Sequence, residues 1–393
     1  MTAWGKHLES DLAILALDRV ALTHRRKGVA RAYGATPASR HARRRCSDRM
    51  IGTNDWSGKA SLQVPVVGII GSGRSGSTLL EYLLAAAIPD ARALGELHSI
   101  VARTQRNELC SCGRQASDCP RWAGVISLLA VHSSRECWRL AVEDRRHHVR
   151  WAAAAYAGAV GHRLAGQRPT GLRRRIGGRL TRLADGGGCY LPVLDVLSEV
   201  SRGHGAVIDN SKTPSHFFAL AAAGHPDLRM VHIVRTPQAV AWSWKRRKHL
   251  PESGSLNWFM EPRPAVWSGA VWLYETMLAA SFQWLYPAVP YVRVSYEELC
   301  AHPEPTLARC AAALGLRAAA VTGPPADYHV LGGNPARFDG FRHVELDDEW
   351  RACLGWPARV AFGIALSPLY RLLLRNTRAG HPSPGGWDKA NGT

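Results

Sequence analysis

The stretch VPVVGIIGSGRSGSTLLEYLL, residues 64–84, decides how this chain folds. Val64, Val66, Val67, Ile69 and Ile70 form an apolar, β-branched run, the pattern of a parallel strand buried on both faces. Gly71-Ser72-Gly73-Arg74-Ser75-Gly76-Ser77-Thr78 follows as a tight glycine loop, after which Leu79, Leu80, Leu83 and Leu84 repeat at helical spacing. Strand, loop and helix in this order make an anion cradle. The first amides of such a helix have no partner within it, and the helix dipole adds positive potential at the same end. A phosphate is the ligand this arrangement suits.

Several patterns overlay the loop. Gly71 to Thr78 nearly fits G-x-x-x-x-G-K-[ST], but Ser77 stands where the lysine belongs, and without that cation an ATPase or GTPase is disfavoured. Gly71, Gly73 and Gly76 also fit G-x-G-x-x-G. Glu96 then lies at a tolerable distance for a ribose-binding acid, although Leu94-Gly95-Glu96 reads as a poor strand end. The third pattern places the cation mid-loop, as Arg74, followed by the hydroxyls of Ser75, Ser77 and Thr78. It resembles the 5′-phosphosulfate loop of sulfotransferases that use 3′-phosphoadenosine 5′-phosphosulfate (PAPS), in the form found in their carbohydrate and tyrosylprotein branches. A turn that merely joins strand to helix is the bland alternative.

A second motif lies in HPDLRMVHIVRTPQAVAWSWKRRKH, residues 225–249. Met230 to Val234 reads as a strand with Arg235 at its end, and Thr236-Pro237 opens a helix. Ser243 follows Arg235 by eight residues, and Arg247 lies four further on the same helical face. A guanidinium fork suits a phosphate dianion. The arrangement resembles the 3′-phosphate site of PAPS enzymes, with R-T-P here where the family usually shows R-D-P. Arg247 fits a merely solvated helix face better than Arg235 does.

Between the two motifs, AVIDNSKTPSHFFAL (206–220) resembles the D-x-S-K-x-P-x-x-F stretch of bacterial sulfotransferases. Ala206-Val207-Ile208 is a short strand, Lys212 stands beyond its end, and Thr213-Pro214 begins a helix. Later, YVRVSYEELC resembles the family's strand–Y-E-x-L–helix unit, and GGNPARFDGF a loop that closes over the nucleotide.

The resemblance spans roughly Val64 to Leu374 and implies a three-layer αβα domain with a central parallel sheet, of the P-loop NTPase type. It implies transfer of a sulfuryl group from PAPS to a hydroxyl acceptor: a glycan, lipid, peptide or small natural product. Glu96 would take the acceptor proton, with His98 as a rival base. Arg74 and Lys212 would offset charge on the transferring group. Gly73, Ser75, Gly76, Ser77 and Thr78 would hold the 5′-phosphate. Arg235, Ser243 and Arg247 would hold the 3′-phosphate, Tyr296 would lie near the adenosine, and Asn334 and Arg337 would belong to the closing loop. No metal is required, because side-chain cations take the part of magnesium.

With 393 residues and 46% hydrophobic composition the chain can bury a full core, and its formal charge of +19 calls for anionic partners. A kinase-like enzyme with a degenerate Walker loop and a basic nucleic-acid-binding protein are the alternatives. Specific nucleic-acid binding is not expected. Residues 1–62 read as a basic, weakly ordered extension, with Met50 as an alternative start and 1–49 dispensable. The catalytic domain is expected over 63–375, with 123–190, including Arg173-Arg174-Arg175, as a variable acceptor or lid region, and 376–393 as a frayed tail. The start lacks a signal-peptide pattern, and no run of about 18 apolar residues occurs. A cytoplasmic protein is therefore expected. Oligomeric state is not legible.

Nine cysteines show no even spacing, which fits thiols better than disulfides. Cys110, Cys112 and Cys119 could hold zinc if Cys137 or a histidine joined them, but C-x-C-x6-C lacks paired knuckles. A structural clasp or thiol cluster is the favoured reading. Trp267, Trp272 and Trp284, on one long apolar helix, read as core.

Overall fold

The computed structural model describes residues 64–126, 156–157, 160, 203–222, 227–246, 248–250, 258–260, 262–341 and 343–378. The N-terminal extension with Met50, nearly all of 127–190 with Cys137 and Arg173-Arg174-Arg175, Arg247 and the end of the chain lie outside these residues.

The strands are β1 (Val66–Ile70), β2 (Ala91–Gly95), β3 (Ala206–Lys212), β4 (Leu228–Val234), the short β5 (Lys248–Leu250) and β6 (Trp258–Met260), β7 (Tyr291–Ser295) and β8 (Tyr328–Leu331). Six of them form one sheet in the order β7-β4-β1-β3-β2-β8, with every pairing parallel. β5 and β6 make a separate antiparallel ribbon. The helices are α1 (Ser77–Ala87), α2 (Ile100–Gln105), α3 (Pro214–Ala222), α4 (Pro237–Lys245), α5 (Ala265–Leu285), α6 (Tyr296–Ala301), α7 (Pro303–Ala313), α8 (Trp350–Cys353), α9 (Trp356–Ala365) and α10 (Ser367–Arg378). None among the described residues is long and apolar enough to cross a membrane.

β1 is buried along its whole length, as a central parallel strand covered by helices on both faces must be. On one face Val67 and Ile69 join Leu80 and Leu84 of α1 and Leu307 of α7 in the main core. On the other face Gly68 lies against Phe217 of α3. Leu79, Leu80, Leu83 and Leu84 are all buried, each contributing about 1.5–3 kcal/mol. This is the expected αβα sandwich.

Three sequence expectations are revised. Leu94-Gly95 ends a true strand, β2, whose five residues are all buried. Ala-Arg-Ala-Leu-Gly has weak strand propensity, but pairing between β3 and β8 overrides it. β3 continues past Ile208 to Lys212, and its register slips: Gly68 pairs with Asp209 but Ile70 with Lys212, a bulge that re-aims the strand end. Only Trp272 of the three α5 tryptophans is core, while Trp267 and Trp284 are 57% and 46% exposed. The last apolar segment forms two helices, α9 and α10, that part at Leu366.

The C-terminal ends of β1, β3 and β4 lie side by side in mid-sheet. Open α/β sheets place their ligands there.

Candidate active site

The glycine loop leaves β1 and enters α1 through Gly76, whose φ of 88° is a left-handed conformation that suits glycine. A Cβ on Gly76 would come within 2.3 Å of the Tyr296 ring. Gly76 offers α1 no side-chain cap, so the first-turn amides are left for an outside acceptor. The Ser75 hydroxyl is buried without a hydrogen-bond partner. Arg74 takes a left-handed φ of 71°, uncommon for a side-chain-bearing residue and a mark of local strain. Burial, with Arg246, Arg263 and Arg235 adding repulsion, pushes its pKa down to about 10, which leaves it charged at neutral pH. Its guanidinium lies over the Trp244 ring at 4.9 Å.

Lys212, just past the β3 bulge, is also left-handed, with φ of 62°. Its carbonyl accepts the Gly71 N–H at 3.1 Å, so the two strained segments are joined by main chain. The Lys212 ammonium donates to Glu96 Oε1 at 2.5 Å, and Arg103 from α2 binds Glu96 Oε2. Burial alone would raise the Glu96 pKa, but these two cations hold it well below the usual carboxylate range. The raised basicity expected of a general base is therefore absent in this arrangement. His98 is a poor substitute, since burial pushes its pKa down to about 3.

A buried polar layer fixes these groups from below. Asp209 accepts from Ser211 Oγ at 2.5 Å and meets His216 Nε2 at 2.6 Å. Glu81 on α1 accepts from Gly95 N at 2.8 Å and from Asn210 at 2.9 Å, tying the loop helix to β2 and β3. Burial raises the Glu81 pKa to about 7.

Arg235, at the end of β4, is buried and stacks on the Tyr296 ring at 4.1 Å. Tyr296 thus packs against Gly76 while supporting Arg235. The Arg235 fork donates to the Arg74 carbonyl at 3.3 Å and the Asp347 carbonyl at 2.7 Å, and pairs with the Asp347 carboxylate at 3.2 Å. Arg246 binds the same carboxylate. Arg235 Nε is buried without a hydrogen-bond partner. The Thr236 hydroxyl does not cap α4; it donates to Glu297 at 2.5 Å.

These groups meet in a cavity of about 290 Å³. Gly73, Arg74, Gly76, Ser77 and Thr78 line it from the loop; Glu96 and Lys212 line it from the ends of β2 and β3. Arg235, Ser243, Tyr296 and Asn334 are also on its wall. Ser75 and Arg337 are not on the wall; Arg337 turns back to the Gly333 carbonyl at 3.2 Å and over Phe338. Sequence reasoning missed Trp244 and Asp347 on the wall, Arg103 behind Glu96, and Glu275 of α5, whose carboxylate takes the Gly73 N–H at 3.1 Å. Trp244, next to Ser243, and Arg246, in the basic run after α4, could have been suspected; Asp347 and Glu275 come from distant segments and carry no local signal.

A model of the sulfotransferase family matches residues 65–320. Among solved structures, the sulfotransferase domain of the olefin synthase from Synechococcus PCC 7002 is similar at 18% identity and a TM-score of 0.44, covering 82% of this chain and 98% of that one. The sulfotransferase domain of the curacin biosynthetic pathway is similar at 16% identity and a TM-score of 0.40, covering 78% and 98%. Curated proteins give no significant match.

Proposed function

The chain belongs to the sulfotransferase family, and we propose that it moves a sulfuryl group from PAPS to a hydroxyl acceptor. One observation carries this reading. The glycine loop with Arg74 and the strand-end Arg235 with Ser243, far apart in sequence, line one cavity. A nucleotide with phosphates at both its 5′ and 3′ ends needs two anion pockets on a shared opening. Arg235 Nε, buried and without a hydrogen-bond partner beside the cavity, suits such a guest.

In this reading Gly73 and Ser75–Thr78 hold the 5′-phosphate, while Arg235, Ser243 and Arg247 hold the 3′-phosphate. Asp347 is the stand-in on Arg235 and Arg246, and the 3′-phosphate displaces its carboxylate. Tyr296 and Asn334 bound the adenosine, with Arg337 steadying the Gly333 turn. The donor supplies an activated sulfuryl group on a good leaving group. Arg74 and Lys212 meet the charge that builds on the sulfuryl oxygens and the departing phosphate, the kind of preorganised stabilisation that dominates many active sites. Lys212 turns from Glu96 to the sulfuryl oxygens, and Glu96, left with Arg103, regains the basicity to take the acceptor's proton. Side-chain cations suffice for this chemistry.

The acceptor is a glycan, lipid, peptide or small natural product. None of the described cysteines is in a disulfide, which suits a cytoplasmic setting. The test is incubation of the protein with radiosulfur-labelled PAPS and an extract of the source organism. Label in a new, enzyme-dependent product is the expected result. Magnesium-dependent ATP turnover with no sulfuryl transfer would overturn the reading in favour of a kinase. Salt-sensitive DNA binding with no PAPS binding would overturn it in favour of a nucleic-acid-binding protein.

A further inference from the structure

Away from the cavity, at the outer edge of the sheet, three cysteines and a histidine converge. Cys110 and Cys112 sit on a tight turn closed by Cys110 N to Arg114 O and Gly113 N to Cys110 O, both 2.8 Å. Gly113 takes φ of 81° there, a conformation other residues adopt at a cost. Cys119 heads a helical turn, its carbonyl accepting from Trp122 and Ala123. His329 comes from β8, the edge strand. The three sulfurs and one ring nitrogen of this set all lie within 4.8 Å of one another.

From these atoms we infer that Cys110, Cys112, Cys119 and His329 Nδ1 bind a structural zinc ion. A tetrahedral zinc with ordinary bond lengths requires about 3.8 Å between sulfurs and about 3.6 Å between sulfur and nitrogen. Cys112 and Cys119 Sγ are 3.9 Å apart, and His329 Nδ1 is 3.8 Å from Cys110 Sγ and 3.3 Å from Cys119 Sγ. Three soft sulfurs and an imidazole select zinc over harder cations. The four protein ligands fill the coordination shell, which makes the site structural and leaves no open position for chemistry.

The surroundings agree. His329 Nε2 faces the Asp327 carboxylate at 3.6 Å, the side from which a second carboxylate commonly orients a ligating imidazole. Three thiolates and one zinc ion carry a net negative charge. Arg92 is 7% exposed and close enough to Cys110 and Cys119 to interact electrostatically with both. Cys112 is exposed, giving the metal an entry path.

The ion would clamp the cysteine turn to the sheet edge, where Ser111 already pairs with Tyr328 and Val330 main chain at 2.8 and 3.0 Å. β8 runs directly into Gly333 and Asn334 on the cavity wall. Loading is a binding step in which the three thiols give up their protons as zinc enters.

The experiment is metal analysis of the purified full chain after passage over a chelating resin. About one zinc per chain is expected, lost in Cys112→Ser and in His329→Ala and retained in Cys353→Ser, an exposed thiol elsewhere. Protein produced with cobalt(II) in place of zinc should show sulfur-to-cobalt charge transfer and intense tetrahedral absorption. Absence of stoichiometric zinc, iron in its place, or zinc unchanged in both variants would overturn the site. If the variants do not fold, the cobalt spectrum of the parent protein decides, and weak octahedral bands count against the assignment.

Discussion

The wall of the cavity that begins at Gly71 is one stretch of chain, whereas the wall facing it is gathered from β4, α6 and residues 343–347. The first is shaped by backbone: a left-handed Gly76, a strained Arg74 and an uncapped helix end. The second is shaped by side chains: Arg235 stacked on Tyr296, and Arg235 and Arg246 sharing Asp347. A backbone-built wall is available before a ligand arrives. A side-chain-built wall has its cations already occupied and must exchange partners. In the function proposed above, the first wall carries the chemical step and the second carries affinity.

Arg74→Ala should reduce kcat about 10²- to 10³-fold, measured with labelled PAPS once an acceptor is in hand. An equal fall in kcat for Arg235→Ala would break the division of labour. Glu96→Gln, between the walls, should lower kcat about 10²-fold while leaving affinity for the desulfated nucleotide nearly intact in calorimetry. Since Lys212 and Arg103 hold the Glu96 pKa down, the acidic limb of kcat/KM, which reports the free enzyme, should fall below the ordinary carboxylate value of about 4.3. A limb near neutrality would assign the base to another group.

Arg235→Ala should weaken 3′-phosphorylated nucleotides roughly 10- to 100-fold, through loss of charged hydrogen bonds, and adenosine 5′-phosphosulfate far less. Smallest of the four, Asp347→Asn should tighten 3′-phosphorylated nucleotides roughly two- to fivefold, because it removes a partly exposed ion pair that competes for Arg235. Weaker binding would show that Asp347 belongs to the ligand's own contacts.

The contrast also explains what could be read from residues alone. The strand–loop–helix unit is contiguous, so spacing and residue type suffice for Arg74, Gly76 and Thr78. Lys212 and Arg235 each follow a recognisable apolar strand. Asp347 and Glu275 became visible only in three dimensions, because their partners are remote in sequence. His329 is the extreme case: its partner Cys119 is 210 residues away in sequence, and no knuckle motif announces it. β2 was missed for a different reason, since alanine and glycine carry little strand signal when neighbours do the burying.

The bond between Gly71 and the Lys212 carbonyl has a further consequence. Arg74 and Lys212 hang from two ends of a single stiff bracket, each in a twisted backbone that cannot relax without unzipping β1 from β3. The main chain sets the spacing of the two anchors, while the Lys212 ammonium still swings from Glu96 on its own flexible stem. In the proposed reaction the anion therefore meets two cations whose roots are already in place, and only their tips have to rearrange.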